Sequence, residues 1–248
     1  AGNWEFALSH ITAGYLTFLG DDDGLLPDSI SAANAIIQDT GCVALTSQNA
    51  EYHWPSQDES RQNRLTIPLQ DSLERRNSKE TLLQVIRNQR SYRELPWLYR
   101  GFASHEVVKR AMHADGTFFH SQNPDIYSAV ALSCVTDSYY FLSRPLALNG
   151  ASRHSIGVAQ FTRGGSALPK QQFETENDLT VHNEFSVAPV FVMVVAESVL
   201  QAKECIEGAR DLSLDFELVL TEAIREATYR NAAVYDQIIE SVRETASK

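Results

Sequence analysis

Apolar residues at the front of the chain recur at helical spacing. Trp4, Ala7, Leu8 and Ile11 share one face, Asn3 is placed to cap the helix, and Gly14 to end it. Residues 15–19 follow as a short apolar run that reads as a buried strand, and three consecutive carboxylates, Asp21, Asp22 and Asp23, come next. A second helix is predicted over residues 27–40, with Ile30, Ala33, Ile36 and Ile37 on one face, Pro27 in its first turn and Gly41 after its end. Residues 42–46 read as the next strand. Helix, strand, helix, strand is the pattern of a mostly parallel sheet, so the expected class is α/β.

From residue 47 to 77 the periodicity fades into polar residues around an aromatic cluster, Tyr52, His53 and Trp54. If that segment is extended, Tyr52 and Trp54 share a side and form a platform for a sugar ring; pinning of a long loop is the plainer role. A helix over residues 78–88 carries Leu82, Leu83, Val85 and Ile86. It leads into a connector rich in rings, with Trp97 and Tyr99, and then a short helix capped by Ser104 and closed near Gly116. Pro124 opens a further helix to about residue 135, so Asp125 lies in a first turn, where the helix dipole favours an ionised carboxylate. Such a group suits a general base, and a capping aspartate is its structural alternative.

Short strands at residues 139–142 and 145–148 precede a small polar loop, residues 149–157, in which Arg153 and His154 are the candidates to face a phosphate or diphosphate. Residues 161–182 are polar, contain Gly164 and Gly165, and read as a linker or lid between an α/β part over residues 1–160 and a helical extension over 183–248. The extension ends in a helix with Phe216, Leu220, Ile224, Ala227, Ile238 and Val242 on one stripe. That stripe is expected to dock on the α/β part or on a second copy in a homodimer.

The chain has 248 residues, 43% of them apolar and 21% charged, which is the composition of a folded globular protein. A net charge of −11 without any basic stripe argues against nucleic acid as a partner. Cys42, Cys134 and Cys205 are odd in number and lack disulfide or zinc spacing, so they are expected as reduced thiols in a cytoplasmic protein. The longest apolar run, residues 187–196, is too short to span a bilayer and holds a proline; membrane contact is expected to be peripheral at most.

Two carboxylates that converge are costly unless a cation lies between them. If residues 21–23 are extended, Asp21 and Asp23 face one point and suit a hard divalent ion, while a solvated acidic turn needs none. A calcium loop of the EF-hand type is excluded: counted from Asp21, the twelfth position is Ala32, where a bidentate glutamate is required.

The run from Asn3-Trp4-Glu5 through Gly14-Tyr15 and Leu19-Gly20-Asp21-Asp22-Asp23 to Leu26-Pro27, followed far downstream by Pro124-Asp125-Ile126-Tyr127-Ser128, resembles the inverting nucleotide-sugar glycosyltransferases of family 2. The resemblance covers residues 3–157. It implies part of a GT-A fold, a Rossmann-like mixed sheet with flanking helices. By that resemblance Asp21, Asp22 and Asp23 bind a UDP-, GDP- or dTDP-sugar, with Asp21, Asp23 and His154 holding Mn²⁺ or Mg²⁺ and Arg153 and His154 meeting the diphosphate. Asp125 is the base that takes the acceptor's proton, and Tyr52, Trp54, Trp97 and Tyr99 face a glycan or lipid-linked acceptor in the building of a surface polysaccharide. Pro124 stands where many members have an acid, and Arg153 adjoins His154 where many have one residue between them. Members also carry three more strands ahead of this point, so the chain is expected to be the second half of such an enzyme and inactive alone.

Two other readings remain open at this level. The Asp-x-Asp-Gly pattern also opens phosphohydrolases of the haloacid dehalogenase type, although Leu25 stands where that class has threonine and no later Gly-Asp-x-x-x-Asp cluster is present. A carbohydrate-binding or interaction module without catalysis is the other.

Overall fold

The computed structural model describes residues 2–55, 62–152, 179–186, 188 and 190–248. In chain order its strands are β1 (Tyr15–Leu16), β2 (Gly24–Leu25), β3 (Ala44–His53), β4 (Leu65–Thr66), β5 (Leu73–Asn77), β6 (Phe102–Ser104) and β7 (Ser138–Ala151). The helices are α1 (Gly2–Ser9), α2 (Ser29–Thr40), α3 (Ser78–Ile86), α4 (His105–Ala111), α5 (Pro124–Val135), α6 (Phe191–Cys205), α7 (Phe216–Ala227) and α8 (Ala232–Ala246). The protein is therefore mixed α/β, as expected.

The strands form one sheet in the order β1-β6-β3-β7-β2, with β4 alongside β3 and β5 alongside β7. Its spine is the parallel pair β3 and β7, and the other strand pairs are antiparallel. The expectation of a mostly parallel sheet is corrected for a topological reason. α2 joins β2 to β3, and those strands flank β7 on opposite sides instead of pairing with each other.

Two local readings change with it. β3 continues through polar residues to His53, because its backbone is paired on both sides there: Tyr52 stands opposite Gly150 of β7 and Leu65 of β4. The two short strands around residues 139–148 are one strand, β7. Its pairing advances from Leu142 to Ala147 while β3 advances only from Ser47 to Asn49, so Pro145 falls in the irregular stretch and breaks no ladder bond.

α5 is the buried centre of the helical layer, with every residue from Ile126 to Ser133 in the interior. Between it and the sheet lie Trp97, Tyr127, Tyr139 and Phe118. α6 is buried nearly all round, its Glu197, Ser198 and Gln201 included, because it is covered on both sides: it packs on α5, and its Val192, Met193, Ala196 and Leu200 join the cluster formed with α7 and α8. The stripe predicted as one last helix is thus two helices, and Asn231 caps the second by accepting a bond from the Val234 amide at 3.1 Å. Val219, Ala223 and Ala227 are the buried residues of α7, while Ile224 is exposed. Among the described residues no helix is long and apolar enough to cross a membrane.

Candidate functional site

The three carboxylates lie in a turn. The Asp23 amide donates to the Gly20 carbonyl at 3.2 Å, which places Asp21 and Asp22 at the corners. Convergence of Asp21 and Asp23 by strand alternation is therefore corrected. Asp21 is exposed at its corner, and the Asp23 side chain is turned inward and 0% exposed.

Asp23 is held from three directions. Its Oδ1 accepts from Arg100 Nη1 at 3.0 Å and from the Gly150 amide at 2.9 Å. Its Oδ2 accepts from Arg100 Nη1 at 2.9 Å and from the Gly20 amide at 3.1 Å. The lack of a side chain at Gly20 lets the Tyr99 hydroxyl approach, since a Cβ there would stand 2.6 Å from it. Burial pushes the Tyr99 phenol's pKa up, with Arg100 opposing and Asp23 reinforcing the shift.

Arg100 is the residue of this site that the sequence reading missed. It sits in the ring-rich connector, is 4% exposed, and has φ 64°, a left-handed conformation that non-glycine residues adopt rarely. Two backbone bonds fix it: Phe18 N donates to Leu98 O at 2.7 Å and Arg100 N donates to Phe18 O at 2.8 Å. Its guanidinium lies 4.0 Å from the centre of the Tyr99 ring and 5.4 Å from that of Trp97. Its Nε is buried without a hydrogen-bond partner among the described residues. An arginine set among rings was the only sequence signal for it.

Asp125 stands in the first turn of α5. Ser128 Oγ donates to the Asp125 carbonyl at 2.7 Å and accepts from the Leu98 amide at 3.2 Å, which ties this turn to the strand bridge that carries Arg100. Burial pushes the Asp125 carboxyl's pKa up, while the Ile126 amide and the positive charges of Arg100 and Arg93 pull it down. The loop ahead of α5 is braced from α6: Ser121 Oγ donates to the buried Glu197 at 2.6 Å and accepts from the Asn123 amide at 3.3 Å.

Of the expected acceptor aromatics, Trp54 meets the acidic turn directly and Tyr52 packs against Trp54. Trp54 is 39% exposed, meets Tyr52 edge-on at 5.0 Å, and its Nε1 donates to the Asp22 carbonyl at 3.1 Å. Trp97 is corrected: its ring is 1% exposed, wedged edge-on against Tyr92 and Tyr99, and belongs to the core. Tyr99 is partly buried beneath Trp4 and Arg100. Arg153, His154 and residues 161–178 of the linker expected over 161–182 lie outside the described residues.

No protein-family model matches this chain, and no curated protein matches it.

The divalent ion implied by the resemblance does not fit at Asp23. A carboxylate offers about four lone-pair sites, and here each oxygen already accepts two hydrogen bonds. Among the described residues no three His, Cys, Asp or Glu side chains stand together as an ion's ligands. What the described site brings together is the buried Asp23–Arg100 ion pair and the Asp125 carboxyl, whose pKa burial raises against the charge of that arginine.

Proposed function

We propose that the chain carries the site of an inverting glycosyltransferase of GT-A type, which moves a sugar from a nucleotide-sugar to an acceptor hydroxyl in the building of a surface glycan. The observation that supports this reading most is the gathering of two distant acidic stations around one buried arginine. Asp23 is bonded to Arg100, 77 positions away, and Asp125 lies within reach of the same guanidinium's charge.

In this reading Asp125 is the general base. It takes the proton of the acceptor hydroxyl as that oxygen attacks the anomeric carbon from the face opposite the nucleotide, and the nucleotide leaves with the bonding electrons. The Ser128 bond to the Asp125 main-chain carbonyl fixes the backbone of the first turn of α5, from which that carboxylate projects. Tyr52 and Trp54, beside the acidic turn, are the acceptor-side aromatics.

Melting curves with UDP, GDP and dTDP test the donor half of the reading without requiring turnover. One of the three is expected to raise the melting temperature, and where the corresponding nucleotide-sugar is consumed the product carries the inverted anomeric configuration. A sharp melt that none of them moves, or consumption with retention, overturns it.

A further inference from the structure

We propose that Arg100 is itself the cation of the acidic turn: its guanidinium takes the side of Asp23 where a divalent ion would sit, and Asp23 is a positioning residue instead of a metal ligand. Arg100 Nη1 reaches both carboxylate oxygens, at 3.0 and 2.9 Å, and the amides of Gly20 and Gly150 take the remaining directions. A metal ion bonded to Asp23 has to displace the guanidinium. It would then strand a positive charge in a pocket where Arg100 is 4% exposed and its Nε has no partner among the described residues.

The surroundings are built to hold the arginine, not to release it. Its backbone is locked in the left-handed region by the bond to the Phe18 carbonyl, and its guanidinium rests on the Tyr99 ring. Through Asp23 it also joins the turn to β7 at Gly150, so the pair sets where the exposed Asp21 stands. The fixed charge serves a nucleoside diphosphate from behind the turn: it offsets Asp23, which leaves less negative charge for the ligand's phosphates to meet. Only this choice of ligand rests on the glycosyltransferase reading.

Mn²⁺ binding to the intact chain, followed by electron paramagnetic resonance, tests the assignment. Asp23→Asn combined with Arg100→Met removes both charges together, so neither is left buried alone. Expected is that this double variant keeps the wild-type Mn²⁺ affinity, or its lack of one, within about twofold, and that Arg100→Met alone gains affinity by about tenfold because it frees Asp23. A folded double variant that loses a wild-type Mn²⁺ site overturns the proposal, as does a folded Arg100→Met chain with weakened binding. If Arg100→Met does not fold, the double variant decides. The readout needs neither nucleotide nor turnover, so a failure of the transferase reading leaves it interpretable.

Discussion

Gly150 is packed directly onto the main chain of Asp22: a Cβ built on it would stand 1.7 Å from the Asp22 carbonyl oxygen and 2.8 Å from Trp54 Nε1. Backbone cannot yield as a flexible side chain does. Gly150→Ala is therefore expected to push the acidic turn off β7, with a loss of about 1–3 kcal/mol as in other overpacked sites. Gly24→Ala is its control, since nothing lies within 4 Å of a Cβ there. Urea melts of the two variants check this, and equal stability would remove the argument that the turn is held by close contact with β7.

The Asp23–Arg100 pair predicts a second pattern in stability. Either single change, Asp23→Asn or Arg100→Met, leaves a buried group without its partner and is expected to cost about 3–5 kcal/mol. The double variant is expected to cost clearly less than the sum, because the residues are in direct contact. A double-mutant cycle measured by chemical denaturation gives the coupling. Additive costs would mean that the two side chains act independently.

The same pair marks where sequence reading succeeds and where it stops. Signals that act within one turn were legible: Ser104 caps α4 through its side chain, Gly41 ends α2 at φ 64°, and Pro124 opens α5. The acidic station was visible as composition, but its geometry was not, because a Gly20–Asp23 turn and a strand end carry similar residues. β3 beyond Thr46 was hidden since its polar residues are held by pairing with β4 and β7, which periodicity does not report. Arg100 was hidden most deeply: a charge becomes an interior residue only through a partner, and Asp23 is 77 positions away.

Glu197 gives a prediction in pH. It is 1% exposed, and burial raises its pKa above the ordinary 4.5, against the bonds from Ser121, Gln201 and the His182 amide. A raised carboxyl pKa means that the native state keeps a proton which the unfolded chain has lost. The resulting stabilisation is fully present below pH 4.5 and disappears as the pH rises through the native value. Glu197→Gln holds that position neutral throughout. The wild-type melting temperature is thus expected to drop more than the variant's between pH 4.5 and neutrality. Parallel curves would show that Glu197 is ionised in the native protein at all these pH values.

Asp125 carries the corresponding prediction for chemistry. A base must be ionised, so nucleotide-sugar consumption is expected to fall on the acid side, at a pH above the ordinary aspartate value of 3.8 because burial raises this carboxyl. Arg93 is one of the two positive charges that oppose the shift. Arg93→Gln removes it while leaving Asp125 in place, and the acid limb is expected to move to higher pH with the plateau rate retained. Asp125→Asn is expected to lose about 10²–10⁴-fold in rate, the usual contribution of a positioned general base. The Arg93 variant separates the roles that loss of activity alone confuses. A purely structural aspartate in the first turn of α5 would lower the rate when removed, yet the pH of the limb would not follow a neighbouring charge. A limb that stays fixed in Arg93→Gln would assign Asp125 to helix capping and send the search for the base to another carboxylate.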